Sequence, residues 1–548
     1  MSRAMRVLVV LAIVVSSIGG IASAETARIP LSDGVTLAAE ILLPPQPGPH
    51  PVILTMTPYG PATYFSQYRS AGYAHVNVDI RGTGGSDGAF CVFCDREQQD
   101  VYDVVEWIAA QPWSDGNVGM MGGSYQGITP MLGAAKQPPH LKAIVPSVVY
   151  ADAYRDIVWH NGIYNYNFVT QWAAVQTALS ATGTSPAADY TGRIDTWIAA
   201  RAREIPFDDE RWREMAIYTK WDKITVPTLL LGQWFDGFTR GTIWNFQGIA
   251  SQHKRLIMSP GTHKGKGGAF DPLTPYTNVP PRPGATDPTR AWFDRFLRNI
   301  DNGIEHEPAV TYYDLGAHRW EQASTWPPPD ATLSTLYLSG ARSGSAISGN
   351  DGSLTASPPA GAATAADGYT YSPAAGSTET LSKWGTVAAT PHVRVDQRPD
   401  EAQSLTYTTD ALTSPVALAG PIRLDLWAQT DASNTDFIAK VTDVAPDGSS
   451  MLMTTGYMRA SRREVDHMRS KPAEPWISNA RDLPVPKWAA FSMQIDIWHI
   501  GYELQPGHRL RLTIMSADAT NHEPLLEPAR NIVFHDDRYP SRLILTTR

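Results

Sequence analysis

The sequence predicts an α/β domain with a parallel sheet, a helical segment inserted into that domain, and an all-β region after it. Near the N-terminus, short apolar runs alternate with turn signals and helical patterns, which is typical of a parallel sheet with crossover helices. The apolar runs lie at 52–54, 75–79, 118–121 and 143–149. Between the second and third runs, residues 100–110 place apolar side chains at helical spacing and predict a crossover helix.

Residues 153–220 differ in character, with many aromatic and alanine residues and few β-branched runs. The helical pattern at 197–204 fits a helical cap inserted into the α/β domain. Strand-like patterns return at 226–231 and 255–258, and a helix at 291–300 closes the domain. The α/β domain is therefore predicted in two parts, 25–152 and 221–304.

The last part of the chain, 305–548, shows strands of period two separated by many turns. Ile422, Leu424 and Leu426 alternate with polar neighbours, as the inward face of a half-buried strand does. A β-sandwich fits this pattern. The segment 339–368 is rich in Gly, Ser and Ala without periodicity, so we expect a mobile loop there.

The N-terminus predicts a secretory signal over residues 1–24. Arg3 and Arg6 precede an apolar run at 7–15, and the small residues of Ala22-Ser23-Ala24 follow, with cleavage expected after Ala24. The alternative is an uncleaved membrane anchor, but serine and glycine at 16–20 interrupt the run before it reaches about 20 residues. We therefore expect an exported protein with no membrane attachment after cleavage.

Charge and cysteine content narrow the function classes further. The formal net charge is -9 and the basic residues are scattered, so the chain lacks the basic footprint of a nucleic-acid-binding protein.

The two cysteines, Cys91 and Cys94, have the CxxC spacing of a disulfide, a redox pair or half a metal site. No second ligand pair follows, and in an exported chain a local disulfide is favoured.

The segment 121–127 carries the pattern of a nucleophile elbow centred on Ser124. An apolar strand runs into a serine flanked by glycines and then into a helical pattern. Gly122 and Gly127 leave room for the sharp turn and for close packing of the helix. GxSxxG alone is a weak signal, but here it lies at a strand's carboxyl end, where such folds keep their ligands.

A serine nucleophile needs a base and an acid that orients the base. Asp236 follows the strand at 226–231, and His263 follows the strand at 255–258. Both therefore lie in loops just after strands, and the chain order Ser, Asp, His is the one that this fold uses. Of the 14 histidines, His263 is the one favoured as base by its position.

At this point the sequence resembles the X-Pro dipeptidyl-peptidase and cocaine-esterase-like hydrolases, which include α-amino acid ester hydrolases. The matching motifs cover essentially all of the mature chain: 79–86 (DIRGTGGS), 122–127 (GGSYQG), 234–238 (WFDGF), 260–263 (PGTH), 292–296 (WFDRF), 396–400 (DQRPD) and 506–512 (PGHRLRL). The resemblance implies an α/β-hydrolase domain, a helical cap over its active site and a C-terminal jelly roll.

The resemblance also implies an oxyanion hole. Its donors would be the backbone N–H of Tyr125, which follows the nucleophile, and the hydroxyl of Tyr59, which follows the strand at 52–56. For substrate contacts we select Trp159 and His160 in the cap, with Trp234 and Phe235 beside Asp236. The alternative for Trp159 and His160 is simple packing of the cap.

Two charged segments stay outside the predicted site. Arg81 and Asp87 are interpreted as an ion pair within a glycine-rich turn. Family members that recognise a free α-amino group use carboxylates, so Asp208, Asp209 and Glu210 are candidates for that contact. A solvated acidic turn is the favoured interpretation of these three.

The predicted activity is hydrolysis of a small-molecule carboxylic ester, with no metal or organic cofactor. An amide-cleaving acylase or X-Pro dipeptidyl-peptidase with the same triad is the second hypothesis. A third, from another class, is a carbohydrate-binding or adhesion protein with a degenerate hydrolase domain. The sequence carries no signal for the oligomeric state.

Overall fold

The structure, a computed structural model, describes residues 25–60, 63–180, 183–184, 188–189, 204–263, 279–360, 365–374 and 396–548. The predicted signal segment 1–24 and most of the helix predicted at 197–204 lie outside the described residues. Among the described residues, no helix is both long and apolar enough to cross a membrane.

The first half of the chain alternates strands and helices as predicted. Its strands are β1 (Glu25–Pro30), β2 (Thr36–Leu42), β3 (His50–Thr57), β4 (Ala74–Asp79), β5 (Gly88–Ala89), β6 (Ser114–Gly123), β7 (Leu141–Ser147), β8 (Trp159–His160), β9 (Ile163–Tyr164), β10 (Ala188–Asp189), β11 (Thr228–Phe235), β12 (Lys254–Thr262), β13 (Val310–Asp314) and β14 (Arg319–Ala323). The helices are α1 (Asp95–Ala109), α2 (Tyr125–Ala134), α3 (Tyr166–Ser180), α4 (Glu210–Met215), α5 (Thr239–Gly248) and α6 (Pro288–Arg298).

Ten of these strands form one mixed sheet in the order β1-β2-β4-β3-β6-β7-β11-β12-β13-β14. Neighbouring strands from β4 to β13 in this order all pair in parallel. Antiparallel pairing adds β2 and β1 at one end of this parallel core and β14 at the other. The carboxyl ends of β3, β6, β11 and β12 therefore meet at one edge of the sheet. Loops at that edge can bring side chains from distant parts of the chain together.

The crossover helix α1 follows its sequence pattern. Its buried face includes Val101, Val104, Val105 and Ile108, the four residues predicted to face the sheet. At the other end of the domain, α6 begins with Pro288 in its first turn, and the Asp287 side chain accepts a hydrogen bond from the Arg290 N–H.

The sheet extends beyond the predicted domain boundary at 304. Strand β13 pairs in parallel with β12, with Leu256 opposite Val310, and β14 then pairs with β13 as a hairpin. These two strands belong to the first sheet because their backbone groups complete its edge. Their short alternating pattern resembles that of the following β domain, which is why the sequence did not separate them.

The cap begins with a single π-helical turn, Tyr154–Val158, and continues through β8, β9 and α3. After the gap in the described residues it includes α4 and the 3₁₀ turn Tyr218–Lys223. Helix α3 lies over the active-site edge of the sheet, where its Trp172 contacts Tyr59.

In the described residues, the C-terminal part is a second, mainly antiparallel sheet accompanied by the short helix α7 (Arg398–Glu401). Its strands are β15 (Thr332–Ser339), β16 (Gly352–Thr355), β17 (Ala366–Thr370), β18 (Leu405–Thr408), β19 (Val416–Thr430), β20 (Asp436–Val444), β21 (Ser450–Arg459), β22 (Phe491–Leu504), β23 (Arg509–Met515), β24 (Arg530–Phe534) and β25 (Arg542–Thr547). The sheet closes on itself, because β25 pairs with both β15 and β19. Its core includes Ile422, Leu424 and Leu426, which confirms the predicted period-two pattern.

One expectation for this part is wrong. The segment 339–368 was predicted to be a mobile loop, but it contains β16, which pairs with β15 and β18. Strand β16 is only four residues long, so its pattern is too short to stand out among small residues.

Buried ion pairs join the α/β domain, the cap and the C-terminal sheet. Arg240 of α5 donates to Asp156 of the cap at 2.9 Å and to Asp496 of β22 at 3.0 Å. Arg155 pairs with Asp152 and Asp208 and donates to the carbonyl oxygens of Ile477 and Ser478. These guanidinium groups are almost fully buried, so each carboxylate depends on its partner for stabilisation.

We expect Arg240→Met to destabilise the fold strongly, because it leaves Asp156 and Asp496 buried without their cation. Breaking a buried pair by removing one partner costs about 3–5 kcal/mol. The matched control is Arg211→Met, whose exposed pair with Asp209 should contribute at most about 1 kcal/mol. Chemical denaturation measures both, and equal losses for the two variants would contradict this account of the interface.

Candidate active site

The turn between β6 and α2 holds Ser124 in a backbone conformation that residues other than glycine rarely adopt. Its φ is 59° and its ψ is -127°, and its N–H donates to the carbonyl oxygen of Ser147 at 3.0 Å. A Cβ atom on Gly127 would lie 2.6 Å from the carbonyl oxygen of Gly122 and 2.8 Å from that of Ser147. The turn therefore requires glycine at this position, as the elbow pattern predicts.

Asp236 and His263 converge on this serine. His263, directly after β12, has its Nε2 atom 2.9 Å from Ser124 Oγ and its Nδ1 atom 2.6 Å from Asp236 Oδ2. Asp236, directly after β11, is fully buried, and its Oδ1 atom accepts from the Phe238 N–H at 2.6 Å. The three predicted residues thus form one continuous chain of hydrogen bonds across 139 positions of sequence.

The chain of hydrogen bonds also assigns the histidine tautomer. An ionised carboxylate only accepts hydrogen bonds, so the His263 Nδ1 atom carries the proton that faces Asp236. In the neutral ring the Nε2 atom then accepts from the Ser124 hydroxyl. This arrangement leaves Nε2 ready to take the serine proton.

The two residues predicted to supply the oxyanion donors are neighbours at the same edge. The ring of Tyr59 packs edge-on against the ring of Tyr125, with centroids 6.2 Å apart. Tyr125 is the first residue of α2, where backbone N–H groups have no partner within the helix. Thr57 fixes the other side, because its Oγ1 atom accepts from the Tyr59 N–H and the Gln126 side chain, both at 3.0 Å.

The Tyr59 hydroxyl is held as a hydrogen-bond donor. The Trp172 indole N–H donates to its oxygen at 3.2 Å, which leaves the hydroxyl proton to point elsewhere. Burial raises the pKa of Tyr59 to about 12, and the hydrogen bond from Trp172 opposes this only in part. The phenol is therefore protonated at neutral and moderately alkaline pH.

Aromatic side chains from two elements surround the triad, and the sequence analysis did not identify them. Phe238 packs edge-on against His263 at 5.2 Å, and Phe168 of α3 packs against Phe238 at 6.3 Å. Phe168 and Trp172 are four residues apart on α3, so they share one helix face. The sequence signal for Phe168 and Trp172 is their spacing of four residues within a helical pattern of the inserted cap.

The residues predicted to contact substrate have other contacts. His160 lies 2.6 Å (Nδ1) from His522 Nε2 and stacks on Tyr457 of the C-terminal sheet. Trp159 packs against Tyr164, and the Trp234 indole donates to the Tyr313 carbonyl oxygen at 2.8 Å. Trp159 and His160 thus pack the cap and its contact with the C-terminal sheet, which was the alternative interpretation, and Trp234 is bonded within the first sheet. We do not assign these three side chains to the substrate pocket. Phe235 is buried immediately before Asp236.

The acidic turn is not solvated as expected. Asp208 is buried and pairs with Arg155 at 2.9 Å and with Arg213 at 3.3 Å. Asp209 caps α4 by accepting from the Arg211 N–H, and Glu210 is exposed. The charge of Asp208 is thus neutralised by guanidinium groups, which a pattern of three adjacent acids does not reveal.

The glycine-rich loop also differs from its prediction. Arg81 pairs with Asp100 of α1 at 2.5 Å and with Asp33 at 3.0 Å, whereas Asp87 pairs with Arg28 of β1. The loop is therefore fixed by ion pairs to other elements. In the segment that follows it, Cys91 and Cys94 are joined by a disulfide directly before α1.

Both halves of the chain match families of known proteins. Residues 33–265 match the model of the X-Pro dipeptidyl-peptidase (S15) family, and residues 302–544 match that of the X-Pro dipeptidyl-peptidase C-terminal non-catalytic domain. The first match contains all three residues of the hydrogen-bonded chain.

Curated relatives and solved structures extend along nearly the whole chain. A cocaine esterase of Rhodococcus sp. strain MB1 Bresler is 29% identical over 92% of both chains. A putative serine esterase of Mycobacterium bovis is 27% identical over 87% of this chain and 84% of its own. A CocE/NonD family hydrolase from Staphylococcus aureus is 22% identical, with a TM-score of 0.77 over 95% of this chain and 93% of that one.

The two family models, one for each half of the chain, are both named for X-Pro dipeptidyl-peptidase. The fold agrees, with an α/β-hydrolase domain followed by a closed β domain. This chain belongs to the X-Pro dipeptidyl-peptidase and cocaine-esterase-like family of serine hydrolases.

Proposed function

We propose that this enzyme hydrolyses carboxylic esters through an acyl-enzyme on Ser124. The observation that carries the proposal is the hydrogen-bonded chain from Ser124 Oγ through His263 to Asp236. A serine hydroxyl becomes a useful nucleophile only when a base takes its proton, and this chain supplies both the base and its orienting acid.

In the first half of the reaction, His263 Nε2 takes the Ser124 proton as Oγ attacks the ester carbonyl carbon. Asp236 stabilises the resulting imidazolium through its hydrogen bond to Nδ1. The negative charge on the carbonyl oxygen is stabilised by the Tyr59 hydroxyl and the Tyr125 N–H. The intermediate then breaks its bond to the alcohol oxygen, and His263 gives its proton to that leaving group.

The second half repeats these steps with water. His263 takes a proton from the water molecule as the water oxygen attacks the acyl-enzyme carbonyl. The same two donors stabilise the second oxyanion. Collapse returns the proton to Ser124 Oγ and releases the carboxylic acid.

Ester substrates with an apolar or aromatic acyl group fit the surroundings of the triad best. Aromatic side chains lie on this side of the triad: Phe238 contacts His263, Phe168 packs against Phe238, and Trp172 contacts Tyr59. Asp208, the buried carboxylate of the cap, is paired with Arg155, so it is a poor partner for a substrate amine. Two curated relatives are named as esterases, which supports the same class.

A second candidate is cleavage of an amide, or of the peptide bond that follows an N-terminal X-Pro dipeptide. The S15 family model that matches residues 33–265 favours it, and the same triad can transfer acyl groups from either leaving group. The two candidates differ in the leaving group and in recognition of a free amino group, so substrates decide between them.

We expect p-nitrophenyl esters to be hydrolysed faster than aminoacyl or X-Pro p-nitroanilides by the wild-type enzyme. Ser124→Ala should abolish the activity, because it removes the attacking atom. The control Ser70→Ala changes an exposed serine and should retain wild-type rates. Faster cleavage of anilides would replace the esterase proposal, and turnover that persists in Ser124→Ala would remove Ser124 from the mechanism.

Tyr59→Phe should lower kcat by about a hundredfold to a thousandfold, the usual cost of deleting an oxyanion donor. Because the pKa of Tyr59 is about 12, the deficit should stay constant from pH 7 to pH 10. Tyr102→Phe, a partly exposed tyrosine of α1, is the matched control. Equal kcat values for the two variants would exclude Tyr59 as a donor.

We also propose that the protein is exported and cleaved after Ala24, as its N-terminal sequence predicts. N-terminal sequencing of the protein recovered outside the cytoplasm should begin at Glu25. Substituting Ala22 and Ala24 with arginine should block cleavage, because the processing site requires small residues. Recovery of the intact chain in the cytoplasm alone would contradict export.

A further inference from the structure

A buried carboxylate, Glu97, contacts the side chain of the residue that follows the nucleophile. The Tyr125 hydroxyl lies 2.8 Å from Glu97 Oε1 and 2.9 Å from Glu97 Oε2, and donates its proton to this carboxyl. Both residues are only 2% exposed. Neither the triad nor the oxyanion donors assigned above account for this acid.

The carboxyl of Glu97 is itself fixed by the loop that the disulfide closes. Glu97 Oε2 accepts from the Phe93 N–H at 2.9 Å, and the Phe93 ring stacks on the Tyr125 ring with centroids 3.9 Å apart. Phe93 lies between Cys91 and Cys94 and has a φ of 58°. Cys94 caps α1 by accepting from the Glu97 N–H, so loop, helix and carboxylate form one unit.

The Tyr125 side chain is therefore held at its ring and at its hydroxyl. Phe93 covers one side of the ring, Tyr59 meets it edge-on, and Glu97 binds the end. Tyr125 is the first residue of α2, so its backbone N–H makes no hydrogen bond within the helix that would fix its direction. The position of the side chain thus contributes to the direction of the N–H.

Burying the ionisable side chain of Glu97 costs free energy, and the need to fill space at this position does not require an ionisable group. Burial raises the pKa of Glu97 to about 7, against the hydrogen bonds from Tyr125 and Phe93. Asp100 raises the pKa further and Arg81 lowers it, and the buried Tyr150 also faces this charge. A glutamine or a leucine would avoid the cost of burying an ionisable group.

We propose that Glu97 is a positioning residue for acyl transfer. By holding the Tyr125 hydroxyl it fixes the first residue of α2, and with it the amide that stabilises the oxyanion. This inference rests on the proposed function, because it assigns Glu97 to that reaction. Displacements of about 1 Å at a reacting centre can cost about a hundredfold in rate, so a second contact of this kind affects turnover.

The test combines Glu97→Leu, which removes both acceptor oxygens, with Tyr125→Phe and the double variant. Tyr125→Phe keeps the backbone N–H and removes only the hydroxyl that Glu97 holds. Each single variant should lower kcat on p-nitrophenyl esters by about tenfold to a hundredfold, less than the loss of a donor itself, with KM within about twofold of wild type. The double variant should be no slower than the slower single variant, because both changes remove one contact.

A boronic acid provides a second readout, because it forms a tetrahedral adduct with the serine and places an oxygen where the oxyanion develops. Its inhibition constant should rise in Glu97→Leu in parallel with the loss of kcat, while KM stays unchanged. The matched control is Glu106→Leu, which removes a carboxylate of the same helix that pairs with His140 at the surface. This control should behave as wild type in both measurements.

Wild-type kcat in Glu97→Leu, or kcat losses that multiply in the double variant, would overturn the positioning role. Ester hydrolysis abolished by Ser124→Ala in the same assay keeps the proposed function intact in that case. Absence of hydrolysis by the wild type would instead defeat the proposed function. If thermal unfolding shows that Glu97→Leu does not fold, Tyr125→Phe alone decides, since wild-type kcat there removes the basis for the inference.

Discussion

The left-handed backbone of Ser124 is the constraint on which the active site depends. A residue other than glycine keeps a φ of 59° only where the surrounding structure holds its backbone in place, and here β6, β7 and α2 hold it. The serine N–H donates to Ser147, and the absence of a side chain at Gly127 lets α2 start beside the sheet. The hydroxyl is consequently presented above the sheet edge, where His263 reaches it.

The remaining components of the site come to this edge from three directions. Parallel strands deliver Asp236 and His263, since their carboxyl ends lie side by side. The cap helix α3 brings Trp172 to the Tyr59 hydroxyl. The loop before α1 brings Phe93 to the Tyr125 ring, and the first turn of α1 brings Glu97 to the Tyr125 hydroxyl. Each oxyanion donor is thus supported by an element other than the one that carries it.

The C-terminal β domain contributes to this arrangement through the buried ion pairs at the cap. Arg155 and Arg240 connect the start of the cap to the loop and strand around 477 and 496. A cap so anchored holds α3 in place over the triad. His160, expected in the substrate pocket, instead contacts His522 of the C-terminal part, whereas Trp234 bonds to Tyr313 of β13 within the first sheet.

The sequence by itself determined the elbow, the order Ser124, Asp236, His263 and the succession of α/β domain, cap and β domain. These follow from local patterns: glycines around a serine, acids and bases just after strands, and hydrophobic periodicity. Only the tertiary structure decided which side chains meet. Asp208 pairs with Arg155, Arg81 with Asp100, and Glu97 with Tyr125, and the first sheet continues through β13 and β14. The physical reason is that partners of buried charges and edges of sheets are chosen by contacts between distant segments, and spacing along the chain does not encode those contacts.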